Sequence, residues 1–435
     1  MAFVHEQSCE CFKSELDLFS VPPTQTSVEY GNWIEYHPLT TVSDGTPIEF
    51  EISGTGEDYI DLPSSMLYVQ AKIVKPDGTA LDAAGPTNLF LHSLFSQVDI
   101  SLNGTQVSAS MNTYPYRAML ETLLSYGDDA KKTQLTSELF YADEAGKMDT
   151  VAFGNDAARN SGLMKRAAFT ATSNVVDMIG RIHADIFFQD RYLLNEVNVK
   201  IKLVRSKDAF SIMSANDHKT VVVKSVLFVR KVRLSPSVVL AHAKALENAT
   251  AKYPIRRVVC KTVTIPGGYR DVNHEKLFSG QLPTRLVVGL VDNGAFNGVK
   301  TKNPFNFQHF HLVEISVYSD GQQQYGMKPL TTDFTNNLYV RGFNTLFSGI
   351  GKLFKDEGNA ISRESFASGY ALYAFDLTPD LGEDDHFSLT RQGSVRLVLK
   401  FGTALAEPVS VIAYAEFQNM IEIDRHRNVI YDFSV

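Results

Sequence analysis

The chain has 435 residues, 44% hydrophobic and 21% charged, with a net charge of −8. This balance excludes a disordered polymer, and the length allows two or three separate cores. The charges are spread along the chain, with no cluster of Lys and Arg that would mark a nucleic-acid footprint.

Residues 1–23 read as an arm whose short amphipathic piece, Phe12 to Phe19, is stopped by Pro22-Pro23. This start has acidic residues and no long apolar core, so it does not read as a secretory signal. No run anywhere reaches the roughly 18 apolar residues of a membrane-spanning helix. Cys9, Cys11 and Cys260 make no disulfide framework, which points to a reducing assembly compartment. The sequons at Asn103 and Asn248 are accordingly expected to stay unglycosylated.

A first β-sandwich is expected over residues 24–234. Val28, Tyr30, Ile34 and Tyr36 share one parity, and Ile48, Phe50 and Ile52 alternate with Glu49, Glu51 and Ser53. Leu67, Val69, Ala71 and Ile73 continue the period of two, as do Val98, Ile100 and Leu102. Asn103-Gly104 then reads as a type I′ hairpin turn, which needs residues tolerant of positive φ. A helix is expected at 112–126, where Tyr116, Met119, Leu120, Leu123 and Leu124 form one apolar stripe. Asn112 or Thr113 can cap it, Pro115 fits its first turn and Gly127 can end it. Residues 127–175 have little periodicity and read as a long loop, functional or packed against a partner. Further strands are expected at 178–188, 196–204 and 220–234, the last so rich in valine that both faces should be covered. Its basic run, Lys224 to Arg233, alternates with apolar residues and reads as a strand with a solvated face.

Ser235-Pro236 opens a connector helix over 235–248. A second sandwich follows over 249–435. Its strands are expected at 257–265, 284–291, 309–318, 323–328, 370–377, 394–401, 409–417 and 421–431. A helical segment at 332–347 lies among them. At an offset of 223 residues, YRAMLETLLS (116–125) and YVRGFNTLFS (339–348) share Tyr116/Tyr339, Thr122/Thr345, Leu123/Leu346 and Ser125/Ser348. The chain therefore reads as all-β and duplicated: two eight-stranded antiparallel sandwiches with short inserted helices, a double jelly roll.

Chemistry is sparse. His309 and His311 share a strand face in this reading but lack further metal ligands. Asp380-Leu381-Gly382-Glu383-Asp384-Asp385 lacks the spacing of a calcium loop and reads as a solvated turn. Gly349-Ile350-Gly351-Lys352 is no phosphate loop, because Leu346 stands where the first glycine belongs. Gly267-Gly268-Tyr269 reads as a turn. Ile52-Ser53-Gly54-Thr55-Gly56 fits a loose maturation-protease pattern but reads as a glycine turn. No nucleophile elbow, zincin helix or catalytic triad is marked. No catalytic, cofactor-binding or metal-ligating residue is expected, and the chain does not read as an enzyme.

Three runs carry a resemblance: VPPTQTSVEYGNWIEYHPLTTVSDGTPIEFEISGTGEDYIDL (21–62), NLFLHSLFSQVDISLNG (88–104) and DFTNNLYVRGFNTLF (333–347). They resemble the major capsid proteins of Polinton/Maverick elements and the related adintoviruses. The resemblance implies a hexon-like double jelly roll that forms homotrimeric, pseudo-hexagonal capsomers in an icosahedral shell around double-stranded DNA. It further implies neighbouring capsomers, a single jelly-roll penton protein, a maturation protease and a packaging ATPase as partners. The expected location is the virion, with assembly inside the host cell, in the nucleus. Neither sequence-specific nucleic-acid binding by the folded body nor a membrane span is expected. The competing readings are a lectin-like β-sandwich binding module and, behind it, a jelly-roll enzyme.

Overall fold

The computed structural model describes all residues except 1–4, 6, 43, 44, 55, 154–157, 320, 324–328, 382–385 and 432–435. Residues 48–52 show how the sheets arise. Ile48, Phe50 and Ile52 are buried, while Glu49 and Glu51 point to the other face and stand opposite Lys202 and Lys200. Lys200 Nζ comes within 2.9 Å of the Glu49 carboxylate, so the outer face is held by opposite charges.

Eight strands build the first sandwich: β1 (Val28–Tyr36), β2 (Ile48–Ile52), β3 (Tyr59–Val74), β4 (Phe95–Leu102), β5 (Thr105–Gln106), β6 (Val176–Gly180), β7 (Val199–Arg205) and β8 (Lys219–Leu234). They pair as two antiparallel sheets, β1-β8-β3-β6 and β2-β7-β4-β5, whose inner faces share one core. Asn103 (φ 45°) and Gly104 (φ 82°) make the tight turn from β4 to β5 that their residue types dictate.

Eight strands build the second: β9 (Ala251–Ile265), β10 (Asp271–Gln281), β11 (Arg285–Asp292), β12 (Leu312–Ser319), β13 (Gln322–Gln323), β14 (Leu372–Asp376), β15 (Gln392–Phe401) and β16 (Val409–Ile423). Their sheets run β9-β16-β11-β14 and β10-β15-β12-β13. Adding eight to each of these numbers turns the first order into the second, so the main strands of the two halves share one topology; the short strands Ala84–Pro86, Ile212–Ser214, Leu330–Thr331 and Val429–Tyr431 fall outside the match.

The helices keep the same correspondence. Helix α1 (Tyr114–Ser125) and α2 (Ser161–Thr170) lie between β5 and β6, and α3 (Pro236–Leu246) joins the two halves. Helix α4 (Val340–Ser348) lies between β13 and β14. The matched residues Tyr116/Tyr339, Thr122/Thr345 and Leu123/Leu346 are all buried, which is why they survive as an echo.

Several expectations need correction. Helix α1 is not one-striped: Tyr116, Ala118, Met119, Leu120, Thr122, Leu123 and Leu124 are all buried, because the helix is packed on most sides. Thr113 does not cap it, since its hydroxyl donates to Cys260 O across the chain (2.8 Å). Residues 127–175 are no featureless loop. They contain helical turns at Asp128–Lys132, Gln134–Glu138 and Ala171–Ser173 as well as α2, and they bury Leu135, Phe140, Met148 and Leu163. The strand expected at 178–188 stops at Gly180 and gives way to a 3-10 turn at Asp185–Phe188. Strand β8 is central in its sheet, yet its outer face is only half covered, with Val223 49% exposed. The segment at 332–347 becomes helical only from Val340, after an Asp333–Leu338 turn.

In the second half β10 escapes the periodicity reading, because DVNHEKLFSGQ is an edge strand with a bulge between His274 and Phe278. The strand expected at 323–328 falls mostly outside the described residues. The two strands expected at 409–417 and 421–431 are instead one continuous β16, followed by a short return at Val429–Tyr431. Its far end matters: Ile421 and Ile423, with Tyr253 and Ile255 of β9, enter the core of the first sandwich.

Candidate functional site

The seam between the sandwiches is where the two repeats depart most from each other. Helix α1 comes from the first half, but Tyr116, Met119, Leu120, Leu123 and Leu124 belong to the second core. Tyr116 is ringed by Phe210, Phe296, Phe305 and Phe307, with centroids 5.6–6.5 Å away. The remaining face of α1 carries charge. Arg117 reaches Asp185 (2.7 Å) and Glu121 (2.9 Å), and Glu121 also meets His183 Nδ1 at 2.5 Å. Asp185 accepts from the Val258 amide of β9 (3.2 Å), and Tyr414 of β16 donates to Glu416 (3.0 Å). Burial alone would raise the Glu121 carboxyl, but Arg117 and His183 outweigh it and hold it down to about 2.

The 127–173 stretch closes the seam from another side. Arg166, fully buried on α2, donates to Pro86 O (2.9 Å), Tyr141 O (2.6 Å) and Asp143 (2.7 Å). Asp143 in turn accepts from Asn160 (2.9 Å) and from Asn303 of the second half (2.8 Å). Lys131 donates to Leu123 O at the end of α1 and to Asn359 O, 228 residues on.

Burial, and then the charge of Lys352, push the Lys131 ammonium down to about 7 from its ordinary 10.5. Between those values the unfolded chain holds the extra proton, so stability is expected to rise with pH. The contribution is complete above about pH 10.5 and falls away toward pH 7, with a slope of at most about 1.4 kcal/mol per pH unit. Denaturant midpoints at pH 7 and pH 9 check this: Lys131→Met should flatten the rise, and an unchanged slope would count against the assignment.

The residues singled out in the sequence do not converge on this seam. His309 and His311 are not on a strand face. Phe310 and His311 take left-handed conformations (φ 44° and 53°), β12 begins only at Leu312, and His309 stacks on Phe334 at 3.9 Å. Burial and then His311 push the His309 imidazole down to about 4. Gly349 follows α4 as its C-cap, and Lys352 donates to Ser125 O (2.8 Å). Gly268 (φ 88°) makes the turn between β9 and β10. In the Ile52–Gly56 pattern Ile52 and Gly54 are buried, Gly54 against Val197, while Ser53 and Gly56 are exposed; Thr55 lies outside the described residues. Asp380 pairs with His386 (2.8 Å), and 382–385 lie outside the described residues. Three basic groups of β8 are matched within the chain: Arg230 by Asp61 (2.6 Å), Arg233 by Asp58 (3.1 Å) and Lys231 by Ser53 O (2.9 Å), while Lys224 is exposed. Cys9 and Cys11 are exposed, while burial raises the Cys260 thiol to about 12, so it stays protonated and poorly nucleophilic.

The seam therefore joins and stiffens; its buried charges are engaged with one another. No helix of the described residues is long and apolar enough to cross a membrane. No protein-family model matches the chain. It is similar to an uncharacterized protein of Caenorhabditis elegans, F54H12.2, at 26% identity over 431 residues, covering 95% of this chain and 99% of the relative. Its structure is similar to a chain of the Sputnik virophage cryo-EM structure, with a TM-score of 0.66 and 12% identity, covering 100% of this chain and 94% of that one. It is likewise similar to the mavirus major capsid protein, with a TM-score of 0.55 and 12% identity over 99% and 97% of the two chains. The fold is a double jelly roll. Those likenesses run through both sandwiches and the seam, not through one half alone.

Proposed function

We propose that the chain is a major capsid protein, a structural subunit that forms homotrimeric, pseudo-hexagonal capsomers in an icosahedral shell around double-stranded DNA. The observation that carries this reading is the repetition of one order of eight main strands in both halves, joined by a buried seam. Two equivalent sandwiches per chain let a threefold trimer fill a nearly sixfold lattice position, and the end-to-end likeness to viral capsid structures supports it. The 21–62, 88–104 and 333–347 runs favour the Polinton/Maverick and adintovirus lineage. Neighbouring capsomers, a single jelly-roll penton protein, a maturation protease and a packaging ATPase are the partners this role requires. The location is then the virion, with assembly in the host nucleus.

Exposed apolar side chains support contact between chains: Trp33 on edge strand β1 is 51% exposed, and Phe354 is 98% exposed. The internally paired basic groups of β8 favour a folded body that does not read DNA sequence. Electron microscopy of the purified protein tests the proposal directly. Pseudo-hexagonal trimers or shells are expected, and a population that stays monomeric at high concentration would sink the reading.

The arm adds a second test. The short amphipathic piece Phe12 to Phe19 holds a 3-10 turn at Ser14–Leu16, and Phe12, Leu18, Phe19 and Val21 are 71–96% exposed. Such an arm fits a segment that lies under the shell and is ordered by neighbours or minor proteins. Deleting residues 1–23 is expected to leave trimers intact on size-exclusion chromatography while reducing shell yield. Loss of the trimer itself would contradict the assignment.

A further inference from the structure

Three side chains distant in sequence converge beneath α1. His92 lies on a helical turn, Phe90–Ser93; Glu138 ends the 3-10 turn Gln134–Glu138; His183 follows β6. All three are buried, with His92 at 0%, His183 at 4% and Glu138 at 7% exposure. One ligand atom from each lies within 4.8 Å of the others. The two imidazoles meet edge to face, with centroids 4.6 Å apart.

The orientation of each ring is set from behind. His92 Nδ1 is engaged by the Tyr114 hydroxyl (2.8 Å), so Nε2 faces inward. His183 Nδ1 is engaged by the Glu121 carboxylate (2.5 Å), leaving its Nε2. A carboxylate or hydroxyl behind the ring is the arrangement that fixes the tautomer of a metal-binding histidine. Inside the cluster, His92 Nε2 and Glu138 Oε2 face each other at 3.4 Å, yet both are buried without a hydrogen-bond partner. A buried pair this long, without hydrogen-bond geometry, leaves both atoms poorly satisfied, and a third group between them would complete both. Gly180 makes room for this: a Cβ there would stand 2.3 Å from Glu138 Oε1.

We propose that His92, His183 and Glu138 bind a divalent transition-metal ion of the zinc type. In a tetrahedral zinc site with bonds of about 2.0–2.1 Å, ligand atoms stand about 3.3 Å apart. The His92–Glu138 edge already has that span, at 3.4 Å, and the ligand atom of His183 lies within 4.8 Å of both. Two imidazoles and a carboxylate suit zinc better than calcium or magnesium, which prefer all-oxygen shells. His183 also lines a small cleft with Tyr114, Arg117 and Cys260. The ion would tie three separate stretches of the first sandwich together directly under the helix that the second sandwich grips.

The test uses untagged full-length protein stripped with EDTA and titrated with Co²⁺, then with Zn²⁺ in competition. One equivalent of Co²⁺ should bind and give the visible absorption of a low-coordinate nitrogen–oxygen site, displaced by Zn²⁺. Zinc should raise the melting temperature by a few degrees. Glu138→Gln should lose the spectrum while circular dichroism stays native. Glu121→Gln, which acts on the site through His183 while also losing charge against Arg117, should weaken binding by about 10–100-fold in protein whose circular dichroism stays native. A stripped, folded wild-type chain that shows no saturable Co²⁺ spectrum overturns the proposal, and this result needs no variant to fold. A spectrum that survives unchanged in a folded His92→Gln/Glu138→Gln double variant overturns it as well.

Discussion

Asp143→Ala is expected to cost about 3–5 kcal/mol, because it leaves the Arg166 guanidinium buried without its counter-charge. Both side chains are closed to solvent (0% and 1% exposed). The same aspartate accepts from Asn160 on one side and Asn303 on the other, so one substitution loosens α2 and its hold on the second sandwich together. Equilibrium denaturation, read by far-ultraviolet dichroism, should show the midpoint falling well below that of the parent chain. The exposed Asp128–Lys132 pair provides the contrast: removing Lys132 should leave the midpoint nearly unchanged. If both variants behaved alike, the buried cluster would not be what fastens this stretch.

The second large effect is expected at Tyr116. Truncation to alanine empties the centre of a ring of four phenylalanines contributed by both halves, at a cost of about 3–5 kcal/mol. Tyr116→Phe should behave in the opposite way. The Tyr116 hydroxyl is buried without a hydrogen-bond partner, so removing it should leave stability equal or slightly higher. Thermal unfolding of the two variants separates packing from polarity at this one position. A phenylalanine variant as damaged as the alanine one would mean that the hydroxyl has a role the ring contacts do not explain.

Much of the architecture was legible because alternation is strong where one face is buried. Ile48, Phe50 and Ile52 write their strand plainly, and Asn103-Gly104 writes its turn, since both depend on local chemistry. The β10 edge was not legible, because an edge strand paired on one side only can carry DVNHEKLFSGQ without an apolar face. The break after Gly180 is hidden because Ile182, Ala184 and Ile186 keep the alternation of a strand, while the chain turns to a 3-10 turn at Asp185–Phe188. Residues 127–175 looked like a loop because their order comes from single buried polar anchors, Arg166 and Asp143, rather than from a periodic face. The seam was invisible for a related reason: α1 is apolar on nearly all sides because its two neighbours belong to different halves. The His92, Glu138 and His183 cluster has no spacing to recognise, since its members sit on three elements that only the fold brings together. The one faint signal was a buried-type histidine inside the apolar run Phe90–Phe95.

The ladder of β9 and β16 has an evolutionary consequence. Its outer end hands Tyr253, Ile255, Ile421 and Ile423 to the other sandwich, while the first sandwich lends Tyr116 and its helix in return. Each half thus completes the interior of its twin with side chains that the twin's own sequence does not encode. A copy of either half put in place of the other would arrive without those loaned residues, leaving two holes instead of one. The halves are congruent in outline but not interchangeable parts.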